Sequence, residues 1–238
     1  MSGHSHFAGI KHRKGINDAK RAGVFTKLGR LITIAARDGG GNPEFNFKLK
    51  MTIEQARAAN MPKDNIEKAI KRGTGELKDG AEIQEVMYEA YGPGQVAMLI
   101  KSATDNKNRA LGEIKNVLTK GGGKMVAEGA VSFMFKQVGC IEIEAGEKDK
   151  DEVEMKAIES GAEDISYEDG FFSVYTKIGD LKAAKENLEN SGLEIENAEI
   201  VYIPTQKTSI SEKDKENYEK LFETLDNLDD VQEIYDNL

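Results

Sequence analysis

Basic and imidazole side chains are concentrated near the start of the sequence, where they could bind a polyanion. Asp18 is the only acid in the 27 residues from His4 to Arg30. Phosphate groups favour such a cluster, because each Lys or Arg that contacts a phosphate releases a condensed counterion. A solvated charged face is the competing interpretation. The candidate nucleic-acid-binding residues are His4, Lys11, His12, Arg13, Lys14, Lys20, Arg21, Lys27, Arg30, Lys71 and Arg72.

The net charge of -9 conceals an asymmetry along the chain. Residues 1–73 hold 15 Lys+Arg and 6 Asp+Glu, a balance of +9, and the remainder holds 18 and 36, a balance of -18. Such asymmetry indicates a nucleic-acid or membrane contact confined to the basic part. A membrane surface is disfavoured, because the basic helix has no apolar face beyond the one its own core needs.

The sequence gives little support for disulfide, metal, catalytic or membrane functions. Cys140 is the single cysteine, so it forms no internal disulfide, and a reducing, cytoplasmic location is predicted. The three histidines lie in the first 12 residues with Asp18 as the nearest acid, so no metal and no cofactor are expected. The sequence contains no catalytic motif and no apolar stretch long enough to span a membrane, so a protein that is not an enzyme is predicted. The N-terminus does not predict a secretory signal, whereas its basic, acid-poor composition leaves a transit-type address open.

A second polar segment leaves two interpretations open. Its residues are Asp105, Asn106, Lys107, Asn108 and Arg109, at a predicted strand-to-helix turn. It is either a helix N-cap with a solvated first turn or a second contact site for RNA or protein.

The pattern of apolar residues predicts an α+β protein that begins with three helices. Helices are expected over 17–37, 46–59 and 62–73, the last opened by Pro62 and stopped by Gly73. A β-β-α-β series follows, with its last strand predicted over 130–138 from Val131, Phe133 and Phe135. A helix and a strand in the tail, the helix capped by Ser211, are expected to complete this series.

Between that series and its tail lies a segment with a pattern of its own. Residues 140–203 read β-α-β-β-α-β, the arrangement of ferredoxin-like domains. The predicted domains are therefore a basic helical domain with its arm (1–76), an α/β domain (77–138 plus 205–238) and an inserted ferredoxin-like α/β domain (139–204).

Several motifs closely resemble those of the YebC/PmpR family, in the same order along essentially the whole chain. They are Met1–Ser5, Ile10–Lys14, Phe25–Leu28, Ala59–Ile66, Ala69–Gly73, Tyr91–Gly94, Asp105–Arg109 and Val131–Phe135. The sequence departs from the usual family pattern in the arm, where His6-Phe7 stands in place of Lys-Trp and Gly9 in place of Asn. The Lys charge is thereby lost, while Phe7 keeps a stacking face.

The resemblance implies a helical N-terminal domain, two α/β domains and a regulatory role. Bacterial members of the family are described as DNA-binding transcriptional regulators. Mitochondrial relatives are described as translational activators, among them one for cytochrome c oxidase subunit I, and the family is linked to ribosomes that stall on proline-rich chains.

Four hypotheses follow from the residues and the resemblance together. The first is a non-enzymatic DNA-binding transcriptional regulator. The second is a translation factor that binds ribosomal RNA or the ribosome. A protein-interaction scaffold and an enzyme are the other two.

Overall fold

The computed structural model describes residues 18–77, 81–168 and 170–238, and it confirms the α+β class. The helices are α1 (Asp18–Gly39), α2 (Phe47–Ala58), α3 (Lys63–Gly73), α4 (Lys107–Lys120), α5 (Lys150–Glu159), α6 (Leu181–Asn190) and α7 (Glu212–Asp226). The strands are β1 (Gln84–Tyr91), β2 (Ala97–Thr104), β3 (Lys124–Val126), β4 (Phe135–Glu144), β5 (Asp164–Glu168), β6 (Phe171–Thr176), β7 (Asn197–Pro204) and β8 (Val231–Asp236).

These elements form two compact units. The larger unit contains the described parts of 3–135 and 204–238, and the inserted unit contains 136–203. The boundary predicted between the helical domain and the first α/β domain stays a prediction.

Helices α1, α2 and α3 pack around one apolar core in the larger unit. Leu28 and Ile32 of α1, Leu49 of α2 and Ile66 of α3 all belong to it, as the spacing of apolar residues predicts. Buried Asn46 fixes the link between α1 and α2. Its Oδ1 accepts a hydrogen bond from Leu49 N at 3.1 Å, and its Nδ2 donates to the carbonyl oxygen of Ala35 at 2.7 Å.

Helices α1 and α3 approach closely where α3 ends. The Thr33 hydroxyl of α1 donates to the carbonyl oxygen of Ala69 at 3.1 Å. Beside it, a Cβ on Gly73 would collide with the Thr33 carbonyl oxygen and lie 2.7 Å from the Cβ of Ala36. Glycine at position 73 is therefore required by the contact between α1 and α3, and the glycine with a positive φ after the end of α3 is Gly75 (φ 78°).

The first sheet has the strand order β3-β1-β2-β8, and α4 and α7 pack against it. Strand β8 pairs antiparallel with β2, which confirms that the tail completes the β-β-α-β series. Its core contains Met98, Ile100, Leu118 and the buried Tyr218. The Tyr218 hydroxyl donates to Asp236 Oδ2 at 2.7 Å and so joins α7 to β8.

The prediction of a strand over 130–138 is wrong for residues 130–134. The strand that completes this part of the sheet is β3, and residues Ser132–Met134 form a 3-10 turn. Strand β4 begins only at Phe135 and continues through the segment predicted as the next strand. Phe133, expected to share a buried face with Val131, is 75% exposed.

A carboxylate of β1 explains why this segment turns. Buried Glu89 accepts hydrogen bonds from the backbone N–H groups of Gly129 at 2.7 Å, Val131 at 2.6 Å and Ser132 at 3.1 Å. N–H groups of neighbouring residues that all point at one anion require a curled backbone. An apolar alternation of three residues is too short to oppose that requirement.

Replacing Glu89 with glutamine is expected to lower the free energy of unfolding by about 2 kcal/mol at neutral pH, because charge-assisted hydrogen bonds are lost. Burial raises the pKa of Glu89, but the hydrogen bonds from Val131, Gly129 and Ser132 outweigh it and leave the pKa lowered. The stabilisation is therefore present above the unfolded pKa of about 4.3 and is lost as pH falls through the lower folded pKa.

Urea unfolding of wild type and Glu89→Gln at neutral and acidic pH measures this. The difference between them should shrink below about pH 4. The exposed Glu113 on α4 supplies the control, and Glu113→Gln should match wild type throughout. A difference between wild type and Glu89→Gln that is the same at both pH values would contradict the assigned role.

The inserted unit has the strand order β5-β6-β4-β7 and the chain order β4-α5-β5-β6-α6-β7. This confirms the ferredoxin-like prediction. Asp149 caps α5 by accepting from the N–H groups of Asp151 and Glu152. Cys140 is buried on β4, and burial, followed by the charge of Glu142, raises the pKa of its thiol well above the usual value, so it is held in the unreactive protonated form.

The chain leaves the larger unit and returns to it at neighbouring points. Thr205, just after β7, donates from its backbone N–H to the carbonyl oxygen of Met134 at 2.8 Å, and its hydroxyl donates to the same oxygen at 3.0 Å.

Candidate nucleic-acid interface

Much of the predicted basic cluster lies outside the described residues. This holds for His4, Lys11, His12, Arg13 and Lys14. Lys20 and Arg21 lie in the first turns of α1, of which the structure describes the backbone.

Lys27 and Arg30, on successive turns of α1, contact the acidic residues at the end of α7 and just after it. Lys27 Nζ lies 3.0 Å from Asp226 Oδ1 and 2.6 Å from the Asp226 carbonyl oxygen. The Arg30 guanidinium lies 2.7 Å from Asp230 Oδ1 and also donates to the carbonyl oxygen of Asp229. Both basic side chains are 17% exposed. Lys27 and Arg30 therefore attach α1 to the segment before β8, and the carboxylates of that segment balance their charges.

Asp230 is the centre of this attachment. Its side chain is 4% exposed and accepts from Arg109 at 2.9 Å and from the Thr104 hydroxyl at 2.9 Å, in addition to Arg30. Its carbonyl oxygen accepts from the Ser102 hydroxyl at 2.7 Å. Both guanidinium groups therefore share one buried carboxylate, which fixes their positions.

The segment Asp105–Arg109 is observed as a helix N-cap. Asn106 Oδ1 accepts from the backbone N–H of Arg109 at 3.1 Å at the start of α4. Arg109 also lies 2.7 Å from Asp105. Hydrogen bonds from its guanidinium to Asp230 and Asp105 raise the pKa of Arg109, and the hydrogen bond from Arg109 lowers the pKa of Asp105. Lys107 and Asn108 are exposed, so a second contact site stays a prediction.

Helix α3 presents a basic face to solvent. Ile66 and Ala69 point into the core, while Lys68, Lys71 and Arg72 are exposed. Lys71 and Arg72 lie in the last turn, where cations interact favourably with the helix dipole. Over the described ranges, no carboxylate forms an ion pair with Lys68 or Lys71, so both charges are available to a partner.

A cleft of about 500 Å³ in the larger unit brings three of the predicted residues together. Arg30, Arg72 and Asp105 contribute to its lining, although they come from α1, α3 and the turn after β2. The remaining lining residues are Phe25, Thr26, Gly29, Met61, Asn65, Lys68, Ala69, Ala81 and Ile83.

Several of these lining residues were not predicted as functional. Phe25 and Asn65 both occur in the motifs that resemble the YebC/PmpR family, which was the available signal. Lys68 stands one helical turn before Arg72, so it shares a face with a predicted residue.

Two searches of the described part of the chain bear on alternative functions. Among residues 18–77, 81–168 and 170–238, no group of three or more His, Cys, Asp or Glu could hold a metal ion. No described helix is long and apolar enough to cross a membrane.

Comparison with known families decides the classification. Residues 5–76 match the TACO1/YebC protein N-terminal domain, and residues 83–238 match the TACO1/YebC second and third domain. The chain belongs to the TACO1/YebC family. This confirms the resemblance found in the motifs.

Relatives within the TACO1/YebC family match over nearly their whole length. A "probable transcriptional regulatory protein" of Fusobacterium nucleatum is 47% identical over 240 residues, covering 100% of this chain and 95% of that protein. One of Persephonella marina with the same description is 48% identical over 241 residues, with 100% and 95% covered. The crystal structure of a conserved hypothetical protein from Aquifex aeolicus is similar with a TM-score of 0.91 and 46% identity, covering 98% of this chain and 96% of that one.

Proposed function

We propose that this protein is a non-enzymatic regulator of gene expression that binds DNA as a transcriptional regulator. The observation that carries the proposal is the balance of +9 in residues 1–73 against -18 in the remainder. Clustered basic residues on one small part of a chain are the electrostatic footprint of nucleic-acid binding. The relatives described as probable transcriptional regulatory proteins support the transcriptional role. A cytoplasmic location is part of the proposal, and the buried single thiol of Cys140 is compatible with it.

The second candidate is a translation factor that binds ribosomal RNA or the ribosome. One observation favours it specifically. A recognition helix reads base edges with exposed side chains, but Lys27 and Arg30 of α1 are paired with Asp226 and Asp230. Binding through the remaining basic residues would then follow backbone shape more than base sequence, as is common for folded RNA.

A salt titration with duplex DNA and folded ribosomal RNA fragments tests both candidates. If about six phosphates are neutralised, the logarithm of the binding constant should fall against the logarithm of salt concentration with a slope of about -5. In the variant Lys11→Glu/Arg13→Glu/Lys14→Glu the slope should be about 2.7 shallower, because each lost contact removes about 0.9.

A matched control makes the same charge change elsewhere. Lys207, Lys213 and Lys220 are exposed, and Lys207→Glu/Lys213→Glu/Lys220→Glu should bind like wild type. Tight binding to a particular DNA sequence would support the transcriptional regulator, and preference for ribosomal RNA would support the translation factor. Failure of wild type to bind either, or equal behaviour of the two triple variants, would refute nucleic-acid binding through the arm.

A further inference from the structure

Gly29 occupies the middle of α1, at a position where glycine weakens the helix. Glycine is the poorest helix former after proline. Packing does not demand it here, since a Cβ on Gly29 would meet only the terminal methyl of Met61, at an ordinary contact distance of 3.8 Å. Gly29 lines the cleft. The missing side chain therefore leaves space in the cleft that any other residue would occupy.

The cleft lining combines two kinds of surface. Phe25, Met61 and Ile83 supply an aromatic and apolar part. Lys68 and Arg72 supply positive charge from consecutive turns of α3, and Asn65 adds an amide one turn before Lys68. Aromatic side chains stack on nucleic-acid bases, amides bind base edges, and Lys and Arg bind phosphate.

Electrostatics inside the cleft favour a ligand with a negative group at one end. Arg30 is held in place by Asp230, so its position is set before a ligand arrives and little conformational freedom is lost on binding. The carboxylate of Asp105 is balanced by Arg109, 2.7 Å away. Lys68, without an ion pair among the described residues, has its charge available to a bound phosphate.

We propose that this cleft binds one nucleoside-phosphate unit, with its base against Phe25 and its phosphate near Lys68 and Arg72. The volume of about 500 Å³ is within the range of small-molecule sites. The unit is either a free nucleotide or one unstacked nucleotide of a strand. The ligand class rests on the proposed function, and the described lining residues of the cleft begin at Phe25.

The test compares two glycines of the same helix. Gly29→Leu places a side chain in the cleft. Gly23→Leu adds the same side chain at a position outside the cleft lining, where a Cβ meets no atom within 4 Å. Binding of adenosine monophosphate and of a single-stranded adenylate hexamer is measured by isothermal titration calorimetry, on the full chain. We expect Gly29→Leu to weaken binding at least tenfold and Gly23→Leu to leave it unchanged.

Two further variants keep the test decisive if Gly29→Leu folds poorly. Gly29→Ala should raise thermal stability and still weaken binding, and Lys68→Ala, on the exposed face of α3, should weaken binding about tenfold through the lost phosphate contact. Adenosine monophosphate that binds as tightly as the hexamer identifies a free-nucleotide site, whereas binding of the hexamer alone identifies a strand site.

Two results would overturn the inference. One is that wild type binds neither probe at millimolar concentration. The other is that Gly29→Leu and Gly23→Leu bind both probes equally well. Either result can coexist with salt-dependent binding of long nucleic acid that is lost on charge reversal of the arm, so failure of the cleft and failure of the proposed function are distinguishable.

Discussion

Replacing Asp230 with alanine is expected to lower the free energy of unfolding by about 3 kcal/mol, because breaking a buried ion pair leaves charge without compensation. The Asp230 carboxylate, 4% exposed, forms an ion pair with Arg30 and accepts hydrogen bonds from Arg109 and the Thr104 hydroxyl. Its loss leaves the mostly buried guanidinium of Arg30 without its carboxylate. Urea unfolding followed by circular dichroism measures the effect.

Asp229 is the matched control for Asp230. It is the preceding residue, its side chain is exposed, and its contact with Arg30 uses the backbone carbonyl oxygen, which survives substitution. Asp229→Ala should therefore stay within about 0.5 kcal/mol of wild type. If the two variants were equally stable, the attachment of α1 to the segment before β8 would contribute nothing measurable.

Replacing Gly73 with alanine is expected to cost about 3 kcal/mol, at the upper end of the penalty for overpacking. The new Cβ would collide with the Thr33 carbonyl oxygen and lie 2.7 Å from the Cβ of Ala36, and the backbone of α1 cannot rotate away as a side chain could. Helices α1 and α3 must separate instead. Thermal and urea unfolding of the variant measure the cost.

The same change at Gly23 should have the opposite sign. A Cβ on Gly23, in α1, meets no atom within 4 Å, so Gly23→Ala should raise stability by about 1 kcal/mol through helix propensity alone. If both variants were destabilised to a similar degree, an added methyl would be unfavourable in α1 and α3 alike, and the specific contact between the two helices would not be the cause.

Elements governed by local chemistry could be predicted from the sequence. Ser211 caps α7 by accepting from Asp214 N at 3.2 Å, because a side-chain cap acts within a few residues of the helix end, and α3 ends at Gly73, the predicted residue. The prediction of a strand over 130–138 failed for the opposite reason. The conformation of this segment is set by Glu89, some forty residues away in sequence, and no local pattern signals that contact.

The candidate site shows the same division. The basic faces of α1 and α3 follow from helical spacing. Lys27 pairs with Asp226, 199 residues further along the chain, and Arg30 pairs with Asp230 in the same distant segment, so the sequence could not reveal that these two charges are balanced. The cleft is likewise formed by residues from separate elements, and only tertiary structure brings Phe25, Lys68 and Asp105 to one place.

Because the inserted unit lies between Met134 and Thr205, it separates parts of the larger unit in the order of synthesis. Strand β2 cannot pair with β8 until β8 has been synthesised, and the contact of Ser102 with Asp230 spans 128 residues. At about 5–20 residues per second, β2 has an unpaired edge for roughly 6 to 26 s. The inserted unit, whose strands lie within residues 135–204, emerges complete within that interval. The inserted unit can therefore fold before the larger unit does. During that time the unpaired edge of β2 in the larger unit must avoid aggregation.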